Sequence, residues 1–388
     1  MSGRPLLNRR LDGLGTTIFA EMSALAVATG AINLGQGFPD ADGPESVREA
    51  AVRALRDGRG NQYPPGMGVP ELRTAIVDHQ RRFYGLSFDP DTEVLVTAGA
   101  TEAIAAAMLA LLEPGDEVIA FEPFYDSYAA SIAMAGGVRV PLTLRAPDFR
   151  PDLDALRAAV TPRTRLLLLN SPHNPTGMVL TRDELTAIAE LAVERDLLVV
   201  TDEVYEHLVF DGEHVPLISF PGMRDRTVSI SSAGKTFSFT GWKVGWITAS
   251  APLLAAVRTT KQFLTYVASG PFQYAIAEAL RLPDDYFTAF RNELQAKRDL
   301  LADGLTVAGF EVCRPQGTYF ITTDIAGLGE KDALAFCRAL PERCGVVAVP
   351  NSVFYDHPDA GRTQVRFAFC KKDQILTEAA ARLQGFQE

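Results

Sequence analysis

The sequence predicts an α/β fold built on a mostly parallel sheet, followed by a smaller α+β unit. Three observations carry that expectation. Through the middle of the chain, short β-branched runs alternate with amphipathic helical stretches, the pattern of strand–helix–strand crossovers. From about residue 286 this alternation stops, and a long charged helix, "YFTAFRNELQAKRDLLADGLTVAG", precedes two strands and a closing helix. The chain has 388 residues, more than the roughly 250–300 at which a single core stops growing. The expected division is a large unit over 41–285 and a small one over 286–388. Residues 1–40 are expected to pack with the small unit, because "INLGQGFPD" is too rich in turn residues to build a layer alone.

The elements follow in order. "EVLVT" (93–97) reads as a strand, and "ATEAIAAAMLALL" (100–112) as a helix stopped by Pro114-Gly115. "DEVIAF" (116–121) and "TRLLLLN" (164–170) are the next strands. "RDELTAIAELAVERD" (182–196) is a helix that feeds the strand "LLVVT" (197–201). "RTVSIS" (226–231) leads into "SISSAGKTFSFTGWKVGW" (229–246), where Lys235 and Lys243 sit among small and apolar residues. "GTYFITTD" (317–324) and "TQVRFAFC" (363–370) are the strands of the second unit.

Composition narrows the partners. A hydrophobic fraction of 47% and a charged fraction of 22% are those of an ordinary globular protein. A net charge of −11 repels polyanions and argues against nucleic acid. Any bound anion must therefore be held by local design. Cys313, Cys337, Cys344 and Cys370 show no CxxC pairing, and the five histidines form no HxxxH or HxH pattern, so neither a metal site nor a disulfide framework is expected. "MSGRPLLNRRLDGLG" has no apolar run of the signal-peptide kind, and nothing reaches the roughly 18 apolar residues of a membrane span. The expectation is a cytoplasmic protein without a membrane partner.

In open α/β sheets, ligands bind beyond the carboxyl ends of the strands. After 93–97 come Ala100 and Thr101 at a helix start, whose free N–H groups can hold a phosphate. After 116–121 come Phe124 and Tyr125; after 164–170, Asn174 in "SPHNPTG"; after 197–201, Asp202 and Tyr205; after 226–231, Ser232 and Lys235. Each has a local explanation as a cap, a turn or a packing residue. Together they fit one ligand. A phosphate meets Ala100, Thr101, Ser232 and Lys243, while an aromatic ring stacks on Tyr125. A ring nitrogen pairs with Asp202, a phenolic oxygen accepts from Asn174 and Tyr205, and an aldehyde condenses with Lys235. That ligand is pyridoxal 5′-phosphate (PLP).

"SSAGKTFSFTGWKVGW", "NSPHNPTG", "TDEVYEHLVF", "NLGQGFPD" and "NQYPPGMGVPELR" resemble the class I aminotransferases of the fold type I PLP family, from about residue 16 to the end. Within that family the likeness is greatest to the kynurenine/glutamine/methionine branch. "TTIFAEMSALA", "EPFYDSY" and "GATEAIAAA" look most like its actinobacterial N-succinyldiaminopimelate aminotransferases. The resemblance implies a large domain on a seven-stranded sheet and a small domain built from both chain ends. It makes Lys235 the cofactor-bound lysine, Asp202 the ring-nitrogen partner, and Tyr205 and Asn174 the phenolic-oxygen contacts. It puts Ser232, Lys243, Ala100 and Thr101 on the phosphate and Tyr125 on the ring. Arg366 would grip the substrate α-carboxylate beside Asn174, with Gly37 leaving room for it. Tyr63 would reach the phosphate of a neighbouring subunit, in a homodimer with shared active sites.

The activity so implied is ping-pong transfer of an amino group from an L-amino acid to a 2-oxo acid such as 2-oxoglutarate. The implied donor is N-succinyl-LL-2,6-diaminopimelate, which belongs to lysine and diaminopimelate biosynthesis. A broad-range kynurenine/glutamine/methionine aminotransferase is the alternative, and the same cofactor would allow β-elimination from cysteine conjugates. Arg9, Arg10 and Lys261 are candidates for a distal carboxylate, whereas Phe19, Tyr63, Phe124 and Tyr125 would suit an aromatic or thioether side chain. His173 is open between packing and a base role.

Overall fold

The computed structural model describes residues 6–15 and 17–385. At its centre is a seven-stranded sheet of β1 (Val94–Thr97), β2 (Glu117–Glu122), β3 (Val138–Thr143), β4 (Thr164–Asn170), β5 (Leu198–Asp202), β6 (Thr227–Ser232) and β7 (Gly245–Thr248). The strand order is β1-β7-β6-β5-β4-β2-β3, and only β7 runs antiparallel to its neighbours. The continuous apolar run of β4 follows from cover on both faces. Leu166 and Leu168 point into one core with Ala120 and Val200, under the helix Gly99–Leu111. Leu167 and Leu169 point into another with Ile119 and Val199, under the helix Arg182–Glu194. That second helix is fixed by a capping box between Thr181 and Glu184.

The predicted strands lie within about three residues of the observed ends. β3 and β7 were not among them. β3 is half exposed at the sheet edge and contains Pro141, which an edge strand tolerates because one side needs no ladder donor. β7 passes directly beneath the start of the helix Gly99–Leu111. A Cβ on Gly245 would lie 2.6 Å from the Gly99 carbonyl carbon and 2.9 Å from the Ala100 nitrogen. This glycine lets strand and helix start approach.

A four-stranded antiparallel sheet follows, in the order Val349–Pro350, Gln364–Ala368, Phe320–Asp324, Glu311–Cys313. Its core takes in Leu301 and Leu305 of the helix Asp284–Val307 and Leu376 of the helix Asp373–Gln384. Met22 and Ala26 of the helix Ile18–Thr29 join that core, and Ile32–Asn33 pairs parallel with Val346–Val347. The short 3-10 turn Arg9–Leu11 departs from the expectation for 1–40. Arg10 Nη1 donates to the Met134 carbonyl at 3.3 Å, on a helix of the larger sheet. Residues 1–5 and 386–388, which that division also covers, lie outside the described residues.

Candidate active site

The carboxyl ends of β2, β4, β5 and β6 and the helix start after β1 open onto one cavity of about 280 Å³. Ala100, Thr101, Tyr125, Asn174, Asp202 and Tyr205 line it, together with Ser232, Lys235, Lys243, Gly37 and Arg366. Of the residues assigned to the cofactor or to the substrate α-carboxylate, only Tyr63 is absent from this lining.

Lys235 sits on the short helix Ala233–Thr236 that continues β6. Burial pushes its amine down to about 8, against the opposing pull of Cys370 and Asp202. At pH 7 about a tenth of such amines are neutral, whereas an ordinary lysine is neutral in well under 0.1% of molecules. A buried lysine of this kind is a competent nucleophile.

Asp202 ends β5 and is 5% exposed. Tyr128 Oη donates to its Oδ2 at 2.6 Å, and the Val204 N–H to its Oδ1 at 3.4 Å. Burial nonetheless raises the carboxyl to about 6, with Tyr128 and Lys235 holding it down. A cation at this carboxylate would restore its charge. Asn170 ties the neighbouring segments together: its Nδ2 donates to the Asp202 carbonyl at 2.8 Å and its Oδ1 accepts from the Asn174 N–H at 2.7 Å.

At the opposite end the helix Gly99–Leu111 presents its first N–H groups beside Ala100 and Thr101. Lys243 lies in the left-handed region at φ 54°, and its Nζ stands 3.1 Å from where a Gly99 Cβ would be. A helix N-terminus, an ammonium and the hydroxyls of Ser232 and Thr101 make an anion seat. Tyr125 caps the helix Asp126–Ala135, and its ring meets Tyr128 edge-on at 5.9 Å.

Arg366 is 1% exposed and lies over the Phe320 ring at 4.0 Å. Its Nη1 donates to Asn174 Oδ1 at 3.0 Å and its Nη2 to the Gly35 carbonyl at 2.9 Å. Nε has no partner among the described residues. Burial lowers the guanidinium to about 10, so it stays charged at neutral pH. A buried guanidinium with an orphan donor is one carboxylate short of satisfaction. Tyr205, whose phenol burial pushes well up, meets Tyr319 edge-on at 5.3 Å. Tyr319 Oη in turn donates to the Gly37 carbonyl at 2.6 Å.

Several expectations need correction. Gly37 lines the cavity, and the Cβ it lacks would fall 2.4 Å from the Phe320 ring, so ring packing also requires glycine there. Lys261 is buried away from the cavity and donates to the Tyr266 carbonyl at 2.7 Å. Arg9 and Arg10 do not reach the cavity either, and Phe124 is buried under the Arg139 guanidinium, 5.2 Å from its ring centre. Phe19 and Tyr125 do line the cavity. Tyr63 is 81% exposed, with its ring edge-on to Tyr266. His173 is buried outside the lining: its Nδ1 meets Thr176 Oγ1 at 2.7 Å, and burial pushes it down to about 3. It is a neutral packing residue of the "HNPTG" turn. Tyr128, Asn170 and Gln36 also line the cavity and were not foreseen. Tyr128 was within reach, since it follows Tyr125 at the i+3 spacing of one helix face.

The sequence pattern of the class I and II aminotransferases matches residues 29–383. The chain belongs to that family. It is 56% identical to a probable N-succinyldiaminopimelate aminotransferase of Mycobacterium tuberculosis, over 98% of each chain. The solved structure of the M. tuberculosis N-succinyldiaminopimelate aminotransferase superposes with a TM-score of 0.95 over 98% of this chain and 100% of that one. A methionine aminotransferase of Escherichia coli is 42% identical over 99% of both chains, and its structure has a TM-score of 0.94. The rat kynurenine–oxoglutarate transaminase 3 is 38% identical over 96% of this chain and 88% of the relative. The aminotransferase thus has the fold type I architecture of these neighbours, and its reaction moves an amino group between an amino acid and an oxo acid.

Proposed function

We propose that the aminotransferase uses PLP, takes N-succinyl-LL-2,6-diaminopimelate as amino donor and 2-oxoglutarate as acceptor, and works as a homodimer. The observation that carries the cofactor reading is the pairing across one cavity of an amine whose pKa burial lowers, Lys235, with a buried carboxylate that forms no salt bridge among the described residues, Asp202. The residues present fit the group. Lys235 would take its aldehyde, Asp202 its ring nitrogen, Tyr205 and Asn174 its phenolic oxygen, and the seat at Ala100, Thr101, Ser232 and Lys243 its phosphate. When bound, PLP supplies the electron sink for negative charge formed at the substrate Cα.

The chain's own residues do the rest. Arg366 receives the α-carboxylate on its fork and its free Nε, which fixes the direction of the Cα–H bond. Lys235 Nζ would be the base that accepts the Cα proton and the acid that delivers it to the carbon that had been the cofactor's aldehyde. Asp202 would keep a proton on the ring nitrogen, and Tyr128 keeps that carboxylate in place. Tyr63 and Tyr266 offer an exposed aromatic pair that a second copy of the chain would cover. Alone, Tyr63 meets nothing in its own cavity.

The donor reading is supported by the 56% identical relative. One observation favours a broader donor range. The lining holds three cations, Lys235, Lys243 and Arg366, all used by cofactor and α-carboxylate, while Phe19 and Phe320 present apolar surface. Steady-state kcat/KM with 2-oxoglutarate as acceptor separates the two. The value for N-succinyl-LL-2,6-diaminopimelate is expected to exceed those for methionine and kynurenine at least about tenfold, the worth of one charged hydrogen bond to the distal end. The reverse order makes this a methionine- or kynurenine-type enzyme.

A further inference from the structure

Behind Tyr205 and Ser232 lies a buried polar cluster that amino transfer does not use. Its centre is His79, from the helix Pro70–Tyr84, with Glu206 and His207 from the segment after β5. Each offers a ligand atom, and these atoms all lie within 4.8 Å of one another. His79 Nε2 and His207 Nε2 are 2.7 Å apart and share one proton. The rings of Phe83 and Phe287 enclose the pair, at 4.8 Å from His79 and 4.4 Å from His207 respectively. Imidazoles held among apolar rings stay neutral, the form that binds metal.

The protein satisfies the cluster only in part. His79 is 2% exposed and its Nδ1 has no partner among the described residues. Glu206 is 5% exposed; its Oε1 accepts from Ser231, and the Tyr84 hydroxyl also lies close enough to interact with the carboxylate. Beside it Glu203 accepts from Thr201 at 2.6 Å and meets His214 Nε2 at 3.2 Å. Two carboxylates are therefore buried together, and among the described residues neither is paired with a lysine or arginine. Arg82 faces the histidines, but its Nε donates to Asp284 at 2.7 Å and its Nη1 to the Leu282 carbonyl at 2.9 Å. Buried negative charge without a cation is costly.

We propose that His79, Glu206 and His207 bind one divalent transition-metal ion of the zinc type, as a structural site. Two neutral imidazole nitrogens and one carboxylate oxygen are a donor set for such an ion, with a water completing the tetrahedron. Bonds of about 2.0 Å would part the two Nε2 atoms to about 3.3 Å and draw Glu206 inward. The ion offsets the paired carboxylates and pins the helix Pro70–Tyr84 to the segment just behind Tyr205. Motif spacing missed it because His79 and His207 stand 128 residues apart.

The test uses full-length protein, chelator-stripped and then dialysed against zinc chloride, with cobalt(II) as spectroscopic probe. One zinc per chain is expected, a melting temperature several degrees above the chelated form, and cobalt absorption of a tetrahedral nitrogen–oxygen site. His207→Asn, and the milder Glu206→Gln should the first fail to fold, are expected to weaken zinc binding at least about tenfold. Both should still bind PLP, which reports an intact fold. Absence of tight zinc in the wild type, or equal binding and equal thermal shift in a folded variant, overturns the proposal.

Discussion

Lys235→Ala is expected to lower amino transfer by about 10⁴-fold or more, because one substitution removes both the nucleophile and the proton carrier. No other amine replaces it. Lys243 belongs to the anion end and Lys261 is turned away to the Tyr266 carbonyl. Lys235→Arg is expected to fail equally, since a guanidinium keeps the charge without a free amine. The pH dependence has a definite sign. Burial lowers the Lys235 amine to about 8, so its reactive neutral fraction grows as pH rises from about 6 and levels above about 9. The rate at which the apoprotein captures PLP should follow that curve, measured by stopped-flow absorbance. Wild-type-like turnover of Lys235→Ala would sink the assignment.

Asp202→Asn is expected to lower kcat by about 10²–10⁴-fold while raising the thermal stability of the apoprotein. Burial holds the carboxyl at about 6 in the apoprotein, above the ordinary aspartate value of 3.8. Between about pH 4 and 6 the folded state therefore holds more proton than the unfolded one, and stability from this group falls as pH rises through that window. Asparagine escapes this cost and can still accept from Tyr128, so the variant should melt higher than wild type at pH 8. The difference should close as pH falls toward 4. With PLP loaded the order should invert, because the ring cation then stabilises the aspartate. Unaltered kcat in Asp202→Asn, or a lower apoprotein melting temperature at pH 8, would count against this role.

Much of the site was legible because α/β sheets bring successive strand ends to one edge. Tyr125, Asn174, Asp202, Ser232 and Lys235 each follow a strand visible as an apolar run, and all line one cavity. What stayed hidden depends on contacts between distant segments. The bond of Arg366 to Asn174 joins residues 192 apart, and that of Tyr128 to Asp202 spans 74. The fate of Lys261, whose stem is buried and whose head caps a local carbonyl, is set by packing and not by its charge. β3 escaped notice because an edge strand with a proline lacks the apolar run of a central one. The second reason for glycine at position 37 is equally non-local: the ring it accommodates, Phe320, lies 283 positions further along the chain.

Amino transfer by Lys235 and its neighbours requires that the protein take up PLP and react with an amino acid in the absence of an acceptor. A half-reaction tests it most directly: PLP-loaded protein, no acceptor, visible spectrum and oxo acid followed as single amino donors are added. The expected result is loss of the visible band with about one oxo acid formed per site, complete at low N-succinyl-LL-2,6-diaminopimelate, and return of the band on adding 2-oxoglutarate. A protein that cannot be loaded with PLP, or a band that no L-amino acid bleaches, would contradict it.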